Sequence, residues 1–337
     1  MGRAPRGVAV TRFILRRTLL MILTLLATSV VAFLVIRLPP GDYAAAYVAT
    51  LAASGGGGSQ ELLQSLRATY GLDQPAIVQY LKWMQGILTR GDFGLSFQYH
   101  EPVAAIIWDR VWLTAALSIA SVLITWLIAF PIGIYSAVRQ HSLGDYTFTL
   151  LGFVGISVPS FLLALAAMYA AFKGFGVTLG GLYSDTFVHA HWSLAKAHDL
   201  LLHIWLPVLI LAVGGTAELI RIMRANLLDE LRKAYVTTAR AKGLAERAVV
   251  YKHALRNALI PIVTVVGDQF ARLLGGAILT ETVFSWPGMG RYLIEAIAMR
   301  DYPVIQAIIL VFAACFFVVN LLVDISYGLV DPRVRAE

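Results

Sequence analysis

Six runs of mostly apolar residues, at about 13–36, 113–137, 147–172, 204–223, 258–281 and 304–327, decide what this chain can fold into. A helix rises 1.5 Å per residue, so roughly 20 such residues match the roughly 30 Å hydrocarbon core of a bilayer. In lipid, every backbone polar group needs a partner within the protein, and a helix supplies one for each. The runs therefore predict an all-α membrane protein with six transmembrane helices. Only 14% of the residues are charged and 58% are hydrophobic, whereas soluble domains carry about 25% charged residues. An ordinary soluble fold is excluded.

The unbroken apolar part of the first run, from Leu19, follows Arg12, Arg16 and Arg17, as the core of a secretory signal would. Leu19 to Ile36 outruns the roughly 7 to 15 residues of such a core, and Arg37-Leu38-Pro39-Pro40 offers no small-residue cleavage site, so the run is expected to be retained. Basic residues of short loops stay on the cytoplasmic side. With six spans, one side collects Arg3, Arg6, Arg12, Arg16, Arg17, Arg139, the bases of the fourth loop, Arg333 and Arg335. The other side holds fewer, namely Lys173, Lys196, Arg291 and Arg300. Both termini are expected to be cytoplasmic. The net charge of +7 is spread between apolar runs and not gathered on one surface, which argues against nucleic acid as a partner. Cys315, the single cysteine, sits in the last run, so neither an internal disulfide nor a cysteine metal cluster can form, and its expected role is packing.

Three parts follow: residues 1–37 as tail and first span, 38–112 as an external segment, and 113–337 as a five-helix core with a polar loop at 224–257. The external segment contains Ser54-Gly55-Gly56-Gly57-Gly58-Ser59, a composition that is flexible in natural and introduced linkers alike. Beyond it, Gly71-Leu72-Asp73-Gln74-Pro75 predicts a helix start with Asp73 near the cap and Pro75 in the first turn. Ile77, Val78, Leu81, Met84, Ile87 and Leu88 recur at helical spacing, fitting either a helix along the membrane interface or a small cap packed on the spans.

The loop at 224–257 is the most informative stretch, because here a chain this apolar concentrates its polar residues. Asn226 to Lys242 carries Leu227, Leu228, Leu231, Tyr235 and Thr238 along one predicted helical face. Gly243 is placed to stop that helix, and a second is expected from Ala245 to Asn257. Helix, glycine turn, helix makes a short stiff knob for a soluble partner. By itself the stretch also fits a basic juxtamembrane helix on anionic lipid, at about 1 kcal/mol per base.

Tyr235-Val236-Thr237-Thr238-Ala239-Arg240-Ala241-Lys242-Gly243-Leu244 resembles the loop motif of the binding-protein-dependent ABC importer permeases, in the form used by the dipeptide, oligopeptide and nickel branch. The general motif has Glu-Ala-Ala where Thr237, Thr238 and Ala239 stand, and Ile-x-Leu-Pro where His253, Leu255 and Arg256 stand; within the branch such changes look normal. Leu38-Pro39-Pro40-Gly41-Asp42, Tyr70-Gly71-Leu72-Asp73-Gln74-Pro75, Gly91-Asp92-Phe93-Gly94-Leu95-Ser96, the stretch from Glu281 through Trp286-Pro287-Gly288 to Gly290, and Asp331-Pro332-Arg333 look like the same branch, in the same order. The resemblance is to the first of its two permease subunits. It implies a type I ABC importer permease fold in a bacterial inner membrane. It implies as partners a second homologous permease, two ATP-binding cassette ATPases and an external solute-binding protein, with membrane lipid around them. It also implies that Ala239, Arg240, Ala241, Lys242, Gly243 and Leu244 form the ATPase-coupling element. The implied solutes are peptides first, then nickel, oligosaccharides or opines.

Charge within a span costs about 2.5 to 3.5 kcal/mol on insertion scales and so marks inward positions. Asp268 and Arg272, four apart, fit either a lining of the translocation path or an internal ion pair. Glu218 with Arg221 and Arg224 reads as a structural cluster at the end of the fourth span, and Asn320 with Asp324 fits packing or gating. His189, His191, His198 and His203 gather in the third loop without the spacing of a metal site, and no metal or other cofactor is expected. Neither Gly-x-x-x-x-Gly-Lys-Ser/Thr nor His-Glu-x-x-His occurs, so the chain is expected to be no enzyme and to draw its energy from another subunit. The competing reading is an ion-coupled secondary transporter acting alone, for which internal repeats and broken spans would be the sign.

Overall fold

The computed structural model describes residues 6–38, 41–53, 60–176 and 179–330, with the backbone alone at 6–14, 50, 175, 263–264, 266, 268, 271–274, 276 and 327–330. The glycine-rich run at 54–59 and the terminal Asp331-Pro332-Arg333 lie outside the described residues. In chain order the helices are α1 (Arg6–Ile36), α2 (Tyr43–Ala53), α3 (Gln60–Thr69), α4 (Ala76–Arg90), α5 (Val103–Val138), α6 (Leu143–Ser157), α7 (Ser160–Phe175), α8 (Leu194–Leu231), α9 (Ala234–Ala241) and α10 (Glu246–Ala248). A π-helical turn (Val249–Ala254) leads into α11 (Leu255–Ala258), followed by α12 (Ile260–Val283), α13 (Met289–Met299) and α14 (Tyr302–Val330).

Among the described residues, four single helices are long and apolar enough to cross a membrane: Leu15–Ile36, Val103–Val138, Leu194–Leu231 and Tyr302–Ser326. Leucines such as Leu15, Leu19, Leu23, Leu127, Leu150 and Leu165 are at least half exposed along the first, second and third apolar runs. An apolar surface this extensive is sustainable only against lipid or a partner. Helix α12 adds 24 residues, about 36 Å. The third apolar run is not the single straight span its hydropathy predicts: α6 and α7 form a pair bent by 101°. The cause is Pro159, which lacks an amide hydrogen and drives Val158 out of the helical region, to φ −91° and ψ 124°. Counted with that broken span, the crossings are consistent with six.

The chain divides into two compact units. One comprises Ile14–Thr114 and Pro287–Phe317. Its segment between α1 and α5 is organised around Tyr43, Tyr70 and Phe97, whose ring centroids lie 4.6 to 5.8 Å apart. The Tyr43 hydroxyl donates to the Phe97 carbonyl at 2.6 Å, and burial, then the neighbouring Tyr70, Tyr47 and Asp301, push its pKa up to about 12. Asp301 is buried and accepts from Ser96 Oγ at 2.5 Å and from the Gln98 amide at 3.2 Å. Ser29 meets Tyr80 at 2.9 Å and Arg37 reaches Gln79, so α4 is anchored to α1. Helix α4 starts at Ala76 with Pro75 as its cap, where the sequence predicts Pro75 in the first turn, and Gly91 in the left-handed region at φ 65° ends it.

The other unit comprises Met1–Phe13, Ala115–Trp286 and Val318–Glu337. Here α8 packs against α6, α7 and α12. Leu219, Met223 and Leu227 of α8 form a buried core with Ala129 and Ala137 of α5, Val236 and Ala239 of α9, and Val249, Ala254 and Ala258 beyond it. The helices approach closely where side chains are smallest: a Cβ at Gly133 would come within 2.8 Å of Met223, and one at Gly155 within 2.9 Å of Val213. Gly267 of α12 and Asn320 of α14 meet in the same way.

Candidate functional site

The elbow between α8 and α12 holds all six residues expected to form the coupling element. Its first helix does not run unbroken from Asn226, because α8 continues to Leu231 and the chain turns at Arg232 before α9 begins. That turn rotates the buried face from the expected Tyr235 and Thr238 to Val236 and Ala239, which are 0% and 8% exposed. Tyr235 instead tethers the turn, donating to Glu230 at 2.5 Å and accepting from Asn257 at 3.0 Å.

Gly243 ends α9 as the sequence predicts. Its φ is +76°, its amide donates to the Arg240 carbonyl at 2.9 Å, and the Leu244 amide donates to the Ala239 carbonyl at 3.4 Å. Those two bonds make a Schellman cap, for which glycine is suited because the left-handed conformation crowds a Cβ. The Arg240 guanidinium then closes the elbow with two bonds to Glu246, at 2.6 and 3.1 Å. The hydrogen bond from Arg240, followed by its charge, holds the Glu246 carboxyl below its usual range. Arg240 therefore braces the elbow from within. Ala241, Lys242, Gly243 and Leu244 are all exposed, with Leu244 an apolar side chain 43% open at the tip. The second half of the elbow includes the π-helical turn Val249–Ala254, which no hydropathy pattern foretold.

The same unit holds a cavity of about 550 Å³. Its walls are the broken α6–α7 junction around Val158 and Pro159, the α8 stretch containing Gly214, Glu218 and Arg221, and Val265 and Gln269 of α12. Trp126 Nε1 donates to Gln269 Oε1 at 3.1 Å, fixing that amide on the wall. Asp268 and Arg272 sit on the α12 backbone, but their side chains lie outside the described residues. Arg224, expected beside Glu218, instead grips Asp145 with two bonds of 2.9 and 3.1 Å. Asp145 also accepts from the His141 amide at 3.0 Å, so the start of α6 is fastened to α8. Nothing in the sequence pairs two charges 79 residues apart.

The third-loop histidines part company. His203 is buried, with Nδ1 2.8 Å from the Asp199 carbonyl, while His189, His191 and His198 are exposed. Among the described residues no three His, Cys, Asp or Glu side chains converge as metal ligands. Asp199 accepts from the Ser184 amide and hydroxyl at 2.8 and 2.5 Å, and the Lys196 ammonium lies 4.6 Å from the Tyr183 ring, so this loop is a packed cap on the start of α8.

Residues 129–336 match the family model of the binding-protein-dependent transport system inner membrane component, and residues 10–118 match the model for its N-terminal region. The dipeptide transport system permease protein DppB of Escherichia coli K12 is 36% identical over 340 residues, covering 96% of this chain and 98% of that protein. The oligopeptide transport system permease protein AppB of Bacillus subtilis is 35% identical over 325 residues, covering 96% and 99%. The glutathione transport system permease protein GsiC of Salmonella paratyphi A is 38% identical over 323 residues, covering 96% and 98%.

Proposed function

The chain belongs to the family of binding-protein-dependent transport system inner membrane components, and from that premise we propose that it imports short peptides as one of two permeases in an ATP-driven complex. It is the membrane subunit of an ABC importer and not the ATPase. The observation that carries the peptide reading is the end-to-end match: relatives named for dipeptides, oligopeptides and glutathione each align with 96% of this chain.

In this reading the partners are a second homologous permease, two ATP-binding cassette ATPases and an external solute-binding protein. Both termini and the elbow face the cytoplasm, and residues 38–112 lie outside. Ala239, Arg240, Ala241, Lys242, Gly243 and Leu244 form the coupling element: Ala239 seats it, Arg240 braces it, and Ala241 to Leu244 present the docking tip. Two supports are its rigid geometry, capped at Gly243 and clamped by Arg240 and Glu246, and its exposed apolar tip at Leu244. Asp268 and Arg272 line the translocation path. Val265 and Gln269 already wall the cavity, and positions three and seven beyond Val265 fall on the same stripe of a helix.

The test is reconstitution. Co-expressed with its neighbouring permease, ATPases and binding protein, the chain should co-purify with ATP-hydrolysing subunits and accumulate a labelled dipeptide in vesicles only when ATP is present. Accumulation by this chain alone, driven by an ion gradient without ATP, would refute the proposal.

A further inference from the structure

We propose that the cavity at the α6–α7 break is a peptide-binding station, with Glu218 and Arg221 holding the ammonium and carboxylate of a short zwitterionic peptide. This rests on the peptide reading above and adds the place and the chemistry of recognition within the membrane subunit.

Three observations converge there. The cavity of about 550 Å³ lies within the range of small-ligand sites. Among the described residues its wall carries one acid and one base, three residues apart on α8, a rise of about 4.5 Å. A peptide of two or three residues extends about 7 to 10 Å, which two long side chains on adjacent turns can bracket. Opposite charges placed together suit a ligand with one charge of each sign. Glu218 already has interactions within the chain, and a ligand ammonium adds to them.

The helix break supplies the remaining polar surface. Pro159 has no amide hydrogen for the Gly155 carbonyl four residues earlier, and both residues line the cavity. A peptide amide is a fitting donor for such a carbonyl, and Gln269, held by Trp126, presents a side-chain amide from α12. Gly214 completes the wall: a Cβ there would meet nothing within 4 Å, so the space in front of it is open.

The decisive experiment uses the assembled complex in nanodiscs without its binding protein, so that recognition by that protein plays no part. A dipeptide bearing a diazirine side chain is photolysed, and the labelled residues are mapped. Label is expected at 155–163 and 210–221. Unlabelled Ala-Ala should compete at least about 10-fold better than N-acetyl-Ala-Ala-amide, as befits charge-assisted bonds. Glu218→Gln and Arg221→Gln should each erase that preference, and Gly214→Leu should abolish labelling in a complex that still assembles. Label elsewhere, equal competition by the capped peptide, or an unchanged preference in both charge variants would overturn the site. Parallel ATP-dependent uptake separates the two levels: a wild-type complex that takes up dipeptide but labels elsewhere refutes the station alone, while one that takes up no dipeptide refutes the peptide reading and the station with it.

Discussion

Replacing Gly243 separates the elbow's own stability from the contact with an ATPase proposed for it. At φ +76° any other L-residue except asparagine or aspartate pays the left-handed penalty, about 1 to 2 kcal/mol. Because a Cβ at Gly243 meets nothing within 4 Å, that penalty is the whole effect of Gly243→Ala inside this chain. It corresponds to a roughly 5- to 30-fold rise in the open population of the elbow. Hydrogen exchange of the amides at 236–258 should show a rise of that size for Gly243→Ala and a smaller one for Gly243→Asn. Gly243→Trp has the same backbone penalty as alanine and the same open space in front of it, so its exchange should match that of Gly243→Ala. In reconstituted vesicles, however, peptide taken up per ATP hydrolysed should fall further for tryptophan than for alanine if this turn is the proposed docking surface, where the added ring would meet the ATPase. Gly243→Pro removes the amide bond to Arg240 and should uncouple transport altogether. Equal coupling in the tryptophan and alanine variants, or normal coupling in the proline variant, would refute the assignment of this turn to the docking surface.

The Arg240–Glu246 clamp is exposed at both ends, so a double-mutant cycle with alanine at each position should give only about 0.2 to 1 kcal/mol. Its pH dependence has a fixed sign: the folded carboxyl lies below its usual 4.5, so the contribution is complete above pH 4.5 and is lost as pH falls through the lowered value, which thermal unfolding between pH 3 and 6 would follow. Asp145→Asn should cost more, roughly 1.5 to 3 kcal/mol, because Asp145 is 3% exposed and loses the charge in its bonds to Arg224, and the melting temperature of the purified complex reads that loss.

What the sequence displayed and what it concealed divide along physical lines. Apolar runs are dictated by solvent, so five of the six spans and the glycine stop at 243 can be read off residue type alone. Pro159 was also in plain view, but a proline leaves the hydropathy of a run intact, and only the backbone shows that 147–172 turns through 101° there. The break at Arg232 is quieter still, since Asn226 to Lys242 contains strong helix formers on both sides of it and the tertiary packing of Val236 and Ala239 outweighs their local preference. Pairings such as Arg224 with Asp145 and Ser96 with Asp301 join residues 79 and 205 positions apart, beyond the reach of any periodicity. The cavity has the same origin: its acid and base are neighbours in the chain, but the break opposite them belongs to another helix.

Helix α8 is unevenly built along its length. Pro207 and the Gly214-Gly215 pair, the residue types at which helices bend, fall in its first two-thirds. From Thr216 to Leu231 there is neither, a strut of about 24 Å that carries Glu218, Arg221 and Arg224 and ends at the elbow. Compliance is thus concentrated in the cavity wall at Gly214-Gly215 and beyond it, on the side away from the elbow. A push delivered at the elbow reaches Glu218 and Arg221 before it meets anything that can yield, so the two charges must shift in step with the driven end.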